Sequence, residues 1–188
     1  MRFTEPPVGL LTIPKRFAEA KFDEKTSDAL KSIGELYVDN FTTYYSEGRG
    51  PAFLGAPGVG KTYAAAAIAL QLHKMGVPCY WSDVVADMTK LLEWKDFNHR
   101  TEYYKLKGNI VNTPFVVLDD FTYLTTYQRT KELFFEILNA RYSAALPTLI
   151  TGNFAQDDSG PWTAISNNFG GAVSRRIKVM SKGLVFRD

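Results

Sequence analysis

The sequence has one cysteine, almost no excess charge and no long apolar run. Because Cys79 is alone, an internal disulfide is excluded and a reducing compartment is favoured. The longest strictly apolar run, residues 64–70, is far too short to cross a bilayer. The first residues, among them Glu5, Pro6 and Pro7, lack the apolar core of a secretory signal. We therefore expect a cytoplasmic protein.

The charges are nearly balanced, with 22 basic and 20 acidic residues and a net charge of +2. This balance excludes a generally basic polyanion-binding protein, so any contact with nucleic acid must come from a local patch. The apolar share of 45% and the charged share of 22% are ordinary for a globular protein. A chain of 188 residues suits one domain or two small ones and can bury a sizeable core.

Residues 55–62 read Gly-Ala-Pro-Gly-Val-Gly-Lys-Thr, which is a complete phosphate-binding loop. Its three glycines can adopt backbone angles that let successive N–H groups surround one anion. Lys61 offers a positive charge to the β- and γ-phosphates of a nucleoside triphosphate, and Thr62 offers a hydroxyl to Mg²⁺. The predicted nucleotide contacts are the loop and the residue after it: Gly55, Ala56, Pro57, Gly58, Val59, Gly60, Lys61, Thr62 and Tyr63.

The pattern around this loop predicts an α/β fold. A buried strand is predicted before the loop, over 51–54, and a helix after it, over 63–75; anions are favoured at such a helix N-terminus. Alternating strands and helices predict a parallel sheet sandwiched between helices, with ligand at the carboxyl ends of the strands. The other predicted strands are 77–81, 115–118, 147–151 and 184–186, and the other predicted helices are 24–47, 84–94, 127–144 and 172–180.

Three intervals carry weaker patterns. Residues 1–23 should be mostly irregular, and residues 157–171, rich in Gly, Asn and Ser, predict a connection. Residues 96–113 are polar and fit either a helix or a loop. Their charged and aromatic side chains could follow a nucleic-acid backbone, but tyrosines at helical spacing are more typical of packing. The residues concerned are His99, Arg100, Tyr103, Tyr104, Lys105 and Lys107.

Polar side chains follow two of the later strands. Asp119 and Asp120 come after residues 115–118, so both carboxylates would reach the phosphate edge of the sheet. We expect Asp119 to hold Mg²⁺ and Asp120 to orient or deprotonate the attacking water; an acidic turn is the alternative. Asn153 ends the next strand, where its amide could hydrogen-bond the water or the γ-phosphate; a plain Gly-Asn turn is its alternative.

Two adjacent arginines, Arg175 and Arg176, lie in the last predicted helix. An arginine from one subunit can stabilise the charge that develops on a neighbour's γ-phosphate during phosphoryl transfer. A solvated basic face, or a salt bridge within the chain, is the alternative.

The order of these motifs resembles that of the AAA+ ATPases in the DnaC/DnaI helicase-loader and IstB transposition-helper group. The resemblance extends over nearly the whole chain from about Ile13. It includes the segment that precedes the ATPase core of the group and the stretch that leads into its sensor I strand. The matching residues are 13–17, 20–23, 55–62, 115–120, 138–142, 146–153 and 174–177.

This resemblance implies a P-loop NTPase fold of AAA+ type, with an absent or minimal lid domain. The implied ATPase domain covers residues 24–188, with its P-loop core at 51–188. Implied ligands are ATP and Mg²⁺, the latter on Thr62 and Asp119. Implied partners are single-stranded DNA, a replicative helicase and further copies of the chain.

The resemblance also implies a role for each motif. Walker A corresponds to residues 55–62 and Walker B to Asp119 and Asp120, with sensor I at Asn153. Arg175 corresponds to the arginine finger, and Arg176 is the second choice. The implied catalytic residues are therefore Asp120, Asn153 and Arg175.

We expect an ATP-hydrolysing helicase loader that acts on single-stranded DNA. Three other functions stay open: an IstB-like transposition helper, a P-loop kinase for a small molecule, and an ATP-binding adaptor with negligible hydrolysis. Only about fifty residues precede the phosphate-binding loop, so a helicase would have to dock on the N-terminal segment and the first helix, or would not dock at all.

Overall fold

The computed structural model describes residues 11–97, 99–126, 128–154 and 160–187. In these residues five parallel strands form one sheet in the order β2-β3-β4-β1-β5. The strands are β1 Ala52–Gly55, β2 Cys79–Asp83, β3 Phe115–Asp119, β4 Thr148–Asn153 and β5 Val185–Arg187. The helices are α1 Asp28–Asp39, α2 Phe41–Ser46, α3 Lys61–Lys74, α4 Val84–Asp96, α5 Arg100–Asn112, α6 Gln128–Ser143, α7 Gly160–Phe169 and α8 Gly171–Met180.

The sheet is buried on both faces, which explains why its strands read as continuous apolar runs. One face packs against α1, α2 and the alanine-rich α3, where Ala64, Ala65, Ala66 and Ala67 are fully buried. The other face packs against α4, α5, α6 and α8 around an aromatic cluster that includes Phe121 and Phe134. This arrangement confirms the predicted parallel sheet sandwiched between helices.

The structure differs from the prediction for residues 24–47, where two helices replace one. Ser27 caps α1, because its side chain accepts a hydrogen bond from the backbone N–H of Leu30 at 3.4 Å. Asn40 then leaves the helical conformation, with φ −109° and ψ 20°, and separates α1 from α2. Apolar periodicity continues across Asn40, so the periodicity alone could not reveal the break.

The predicted connection over 157–171 is also wrong where it is described, because residues 160–169 form α7. Trp162, Ile165 and Phe169 recur at helical spacing and pack into the core beside α8. The polar stretch 96–113, left open between helix and loop, contains the end of α4 and all of α5. Predicted positions 1–10, 98, 127, 155–159 and 188 lie outside the described residues.

The last helix and the edge strand agree with the prediction. The structure has α8 at Gly171–Met180 and β5 at Val185–Arg187, and β5 pairs with β1 at the edge of the sheet. No lid domain follows α8 within the described residues. In the same ranges no helix is both long and apolar enough to span a membrane.

A buried arginine fixes the amino ends of two central strands. Arg141 is 0% exposed, and burial lowers the pKa of its guanidinium from the ordinary value. Its donors reach the Thr148 hydroxyl at the start of β4 and the Thr113 carbonyl just before β3, at 2.8 and 2.9 Å. Its other acceptors are the carbonyl oxygens of Ile110, Val111 and Pro147. One side chain therefore ties α5, β3 and β4 together.

Replacing this arginine should destabilise the fold strongly. We expect Arg141→Leu to lower the free energy of unfolding by at least about 3 kcal/mol, because each buried acceptor left unpaired costs about 1–3 kcal/mol. Chemical denaturation measures the change. Arg129→Leu is the control on the same helix, since the Arg129 side chain is 60% exposed and pairs with Asp96 at the surface. Equal losses for the two variants would contradict the structural role of Arg141.

Candidate functional site

The phosphate-binding loop connects β1 to α3 and has two glycines in a left-handed backbone conformation. Gly58 has φ 87° and Gly60 has φ 89°, a region that side-chain-bearing residues rarely adopt. A Cβ on Gly60 would also lie 2.9 Å from the carbonyl oxygen of Lys25. The loop is therefore folded tightly against the N-terminal segment, and its backbone leads into the anion-attracting end of α3.

Lys61 lies at the base of the loop. Its Nζ donates to the carbonyl oxygens of Gly55 at 2.9 Å and Ala56 at 2.6 Å, and the residue is only 5% exposed. These bonds hold the ammonium group inside the curve of the loop. A cation in this position can pair with the phosphate oxygens of a bound nucleotide.

Asp119, the last residue of β3, lies beside Thr62. Its Oδ1 accepts hydrogen bonds from Thr62 Oγ1 at 3.1 Å and from Thr151 Oγ1 at 2.6 Å. Burial raises the pKa of Asp119, and the two hydroxyl donors oppose this rise. A bound cation would favour the ionised form.

These two residues fit magnesium. The described residues contain no group of three or more His, Cys, Asp or Glu side chains that could hold a metal ion. Magnesium does not need such a group, because it is commonly bound by one or two carboxylates together with substrate phosphates and water. The neighbouring oxygens of Thr62 and Asp119 supply the hard ligands that it prefers.

Asp120 follows the strand in a left-handed conformation, with φ 59°. Its Oδ1 accepts hydrogen bonds from Asn153 Nδ2 at 2.8 Å and from Thr122 Oγ1 at 3.4 Å. Burial raises the pKa of Asp120, whereas the positive charge of Lys61 lowers it. A carboxylate with a raised pKa, held at a cleft, is suited to general-base chemistry.

A cleft of about 370 Å³ joins these groups. Six of the predicted loop and helix residues line it, together with Asp120 and Asn153. Asp119 lies behind Thr62, to which it is hydrogen-bonded. The structure therefore brings together the predicted loop, both acids and Asn153 at the carboxyl edge of the sheet.

The cleft also contains residues that the sequence analysis did not single out, namely Arg16, Phe17 and Thr151. Phe17 packs edge-on against the Tyr63 ring, with 6.4 Å between ring centroids. The first two belong to a segment far from the loop in sequence, so only the tertiary fold reveals their position. Thr151 could have been found, because it precedes Asn153 by two residues and therefore lies on the same face of β4.

Tyr63, predicted as a nucleotide contact, has a second set of contacts. Its hydroxyl donates to Asp23 Oδ2 at 3.1 Å and accepts from the Lys21 backbone N–H at 3.4 Å. The side chain thus joins the start of α3 to the N-terminal segment while it lines the cleft.

The two arginines of α8 differ in their surroundings. Arg176 donates to Asn139 Oδ1 at 2.7 Å and lies over the Phe135 ring, 4.8 Å from its centroid. Arg175 is exposed, and among the described residues the structure records no hydrogen bond or ion pair for its side chain. Neither arginine lines the cleft of its own chain. Arg175 is therefore the one available to a neighbouring molecule.

The polar stretch forms an aromatic and basic surface on α4 and α5. Tyr103 is buried and its hydroxyl accepts from Lys107 Nζ at 3.3 Å, whereas Tyr104 is 68% exposed. The two tyrosines thus divide between packing and solvent exposure. A hollow of about 540 Å³ on this surface, which we call the α5 hollow, is lined by Trp94, Lys95, Arg100, Tyr103, Tyr104, Lys107 and Glu136.

Comparison with known proteins gives a family model and several solved structures. The model described as IstB-like ATP binding protein matches residues 8–169. The crystal structure of a DnaC helicase loader is similar, with 26% identity, a TM-score of 0.80, and coverage of 92% of this chain and 99% of that one. No curated protein matches in sequence.

Two more distant structures share the fold. The crystal structure of DnaI has 23% identity and a TM-score of 0.69, covering 94% of this chain and 95% of that one. The replication initiator DnaA, bound to AMPPCP and single-stranded DNA, has 15% identity and a TM-score of 0.67, covering 94% of this chain and 50% of that one.

Proposed function

Because this chain belongs to the IstB-like ATP-binding protein family, we propose that it is an ATPase that loads a replicative helicase onto single-stranded DNA. Its fold is the AAA+ type of P-loop domain predicted from the sequence, as the similarity to DnaC confirms. The observation that carries the ATPase proposal is the hydrogen-bonded series Thr62–Asp119–Thr151–Asp120–Asn153 behind one phosphate-binding loop.

Four residues of this series, Thr62, Asp119, Asp120 and Asn153, have direct roles in the proposed reaction. The loop amides and Lys61 bind the β- and γ-phosphates of ATP, and Thr62 with Asp119 holds Mg²⁺. When bound, Mg²⁺ neutralises part of the phosphate charge. Asp120, held by Asn153 at 2.8 Å, orients a water and takes its proton as the water oxygen attacks the γ-phosphorus. The bond to the β–γ bridging oxygen breaks, and ADP and phosphate leave.

The loader and the transposition helper share this chemistry and differ in their partners. The similarity to the DnaC helicase loader over 99% of that chain favours loading. The family model favours an IstB-like helper, which would act on duplex DNA with a transposase. A P-loop kinase would need an acceptor pocket and an arginine-bearing lid over the phosphates, whereas the placement of Asn153 beside Asp120 and of Arg175 on α8 favours the AAA+ ATPase.

The proposed hydrolysis site is shared between subunits. We assign the finger to Arg175, because Arg176 is engaged within its own chain and Arg175 has no recorded partner among the described residues. An exposed arginine on α8 can reach a neighbour's γ-phosphate only if copies of the chain assemble. We therefore propose an ATP-dependent homo-oligomer.

Two substitutions separate ATP binding from hydrolysis. We expect Lys61→Ala to lose ATP binding, and Asp120→Asn to bind ATP while hydrolysing it at least about 100-fold more slowly, the usual contribution of a general base. A fluorescent ATP analogue reports binding, and phosphate release reports turnover, both with and without single-stranded DNA. Asp96→Asn is the matched surface control.

Two results would contradict this assignment. Unchanged nucleotide affinity in Lys61→Ala would remove the phosphate-binding loop from the site. If the native protein hardly hydrolyses ATP and Asp120→Asn has the same negligible turnover, the protein would instead be an ATP-binding adaptor.

Mixing variants tests the shared site. Arg175→Ala should bind ATP nearly as the native protein does but turn it over about 10³-fold more slowly, as expected for a lost arginine finger. Mixed with Lys61→Ala, it should recover part of the activity, because one variant keeps the loop and the other keeps the finger. Arg176→Ala is the control and should keep its activity. No recovery, with monomers at every ATP concentration, would rule out a shared site.

DNA binding separates the loader from the helper. We expect single-stranded DNA to bind more tightly than duplex in the presence of an ATP analogue, with Tyr104 as a stacking residue. Tyr104→Ala should weaken this binding about 10-fold, since base stacking contributes about 1–3 kcal/mol per base. Fluorescence anisotropy measures the affinity. Tyr123→Ala is the control, because the Tyr123 side chain is 61% exposed and Tyr104 is 68% exposed. Preference for duplex, and no complex with a replicative helicase at micromolar concentration, would favour the helper.

A further inference from the structure

The hydroxyl of Thr151 contacts both acids of the proposed site. Thr151 is 1% exposed on β4, between β1 and β3. Its Oγ1 donates to Asp119 Oδ1 at 2.6 Å and accepts from the backbone N–H of Asp120 at 2.8 Å. A threonine hydroxyl has a single proton. Because the Asp120 N–H can only donate, the Thr151 hydroxyl accepts from it and gives its own proton to Asp119.

The hydrogen bond from Thr151 fixes the orientation of the Asp119 carboxylate. Oδ1 receives the Thr151 proton and also faces Thr62 Oγ1 at 3.1 Å. Because the single proton of Thr151 is donated to Asp119, that carboxylate acts as an acceptor and stays beside the hydroxyl with which it would share a cation. Outer hydrogen bonds of this kind orient the ligands of metal sites.

The bond to Asp120 supports its unusual backbone. The pairing of β3 with β4 ends at Leu118 and Ile150, so the Asp120 N–H lies beyond the strand ladder. Thr151 accepts this N–H while Asp120 adopts φ 59°, a strained conformation for a residue with a side chain. The turn directs the Asp120 carboxylate to Asn153 Nδ2 at 2.8 Å.

From this geometry we propose that Thr151 is a positioning residue for phosphoryl transfer. Its single hydroxyl orients both Asp119, the proposed magnesium ligand, and Asp120, the proposed general base. The proposal rests on the ATPase function proposed above. Thr151 touches neither the water nor the phosphate in this role. It acts through Asp119 and Asp120, because its hydroxyl is hydrogen-bonded to both and so fixes their positions relative to each other.

Three variants test the role. Thr151→Val keeps the shape and removes the hydroxyl, Thr151→Ser keeps the hydroxyl, and Thr148→Val removes a hydroxyl from another buried threonine of β4 that contacts Arg141 and neither acid. Nucleotide affinity is measured in EDTA and across a Mg²⁺ titration, together with kcat, KM and the thermal midpoint of each variant.

In the native protein, bound Mg²⁺ should tighten nucleotide binding. Thr151→Val should bind nucleotide normally in EDTA, but should need about 10–100-fold more Mg²⁺ for the same gain in affinity, as is typical when an outer partner of a metal ligand is lost. Its kcat should fall by a similar factor, with little change in KM at saturating Mg²⁺. Thr151→Ser should restore most of both. Thr148→Val should lower the thermal midpoint yet keep the native Mg²⁺ requirement.

An unchanged Mg²⁺ requirement in Thr151→Val would overturn the proposal. So would a failure of Thr151→Ser to restore it, or parallel losses in Thr151→Val and Thr148→Val, since both results indicate a purely structural threonine. If the native protein binds Mg²⁺-nucleotide but never hydrolyses it, the ATPase function fails, whereas the Mg²⁺ titration still decides the role of Thr151.

Discussion

Parallel pairing of β1, β4 and β3 is the constraint on which the rest of the structure depends. In this pairing Gly55 lies opposite Asn153, and Leu118 lies opposite Ile150. Three strand ends therefore meet at one edge of the sheet, although they are far apart in the sequence. A slip of one residue in β4 would move Thr151 and Asn153 to the opposite face, so the register of this strand determines whether the site exists.

Two buried polar residues act at the two ends of these strands. Arg141 binds the amino ends of β3 and β4, and Thr151 joins their carboxyl ends. Buried polar groups are costly unless they are hydrogen-bonded, and here both are satisfied by groups that must lie in the correct register. The fold and the site are thus specified by the same pairing, with apolar packing supplying the main stabilisation.

The sequence was most informative where chemistry demands particular residues at a fixed spacing. The phosphate-binding loop, Asp119 and Asp120 could be predicted because short motifs carry their own mechanism, and the sheet could be predicted from strands alternating with helices. The break at Asn40 was not predictable, since apolar periodicity continues through it. The prediction missed α7 because it relied on the high Gly, Asn and Ser content of the segment and not on the helical spacing of Trp162, Ile165 and Phe169. Arg16 and Phe17 reach the cleft only through tertiary contacts, which no local pattern encodes.

The N-terminal segment has a consequence for where this protein can be shortened. Leu11, Ile13, Phe17 and Phe22 pack against the same core as α3, and the Lys25 carbonyl lies where a side chain on Gly60 would be. Starting the chain at residue 24 would remove one side of the cleft and expose apolar surface on α3. A shortened fragment that keeps the whole cleft must therefore retain Arg16 and Phe17, which line it.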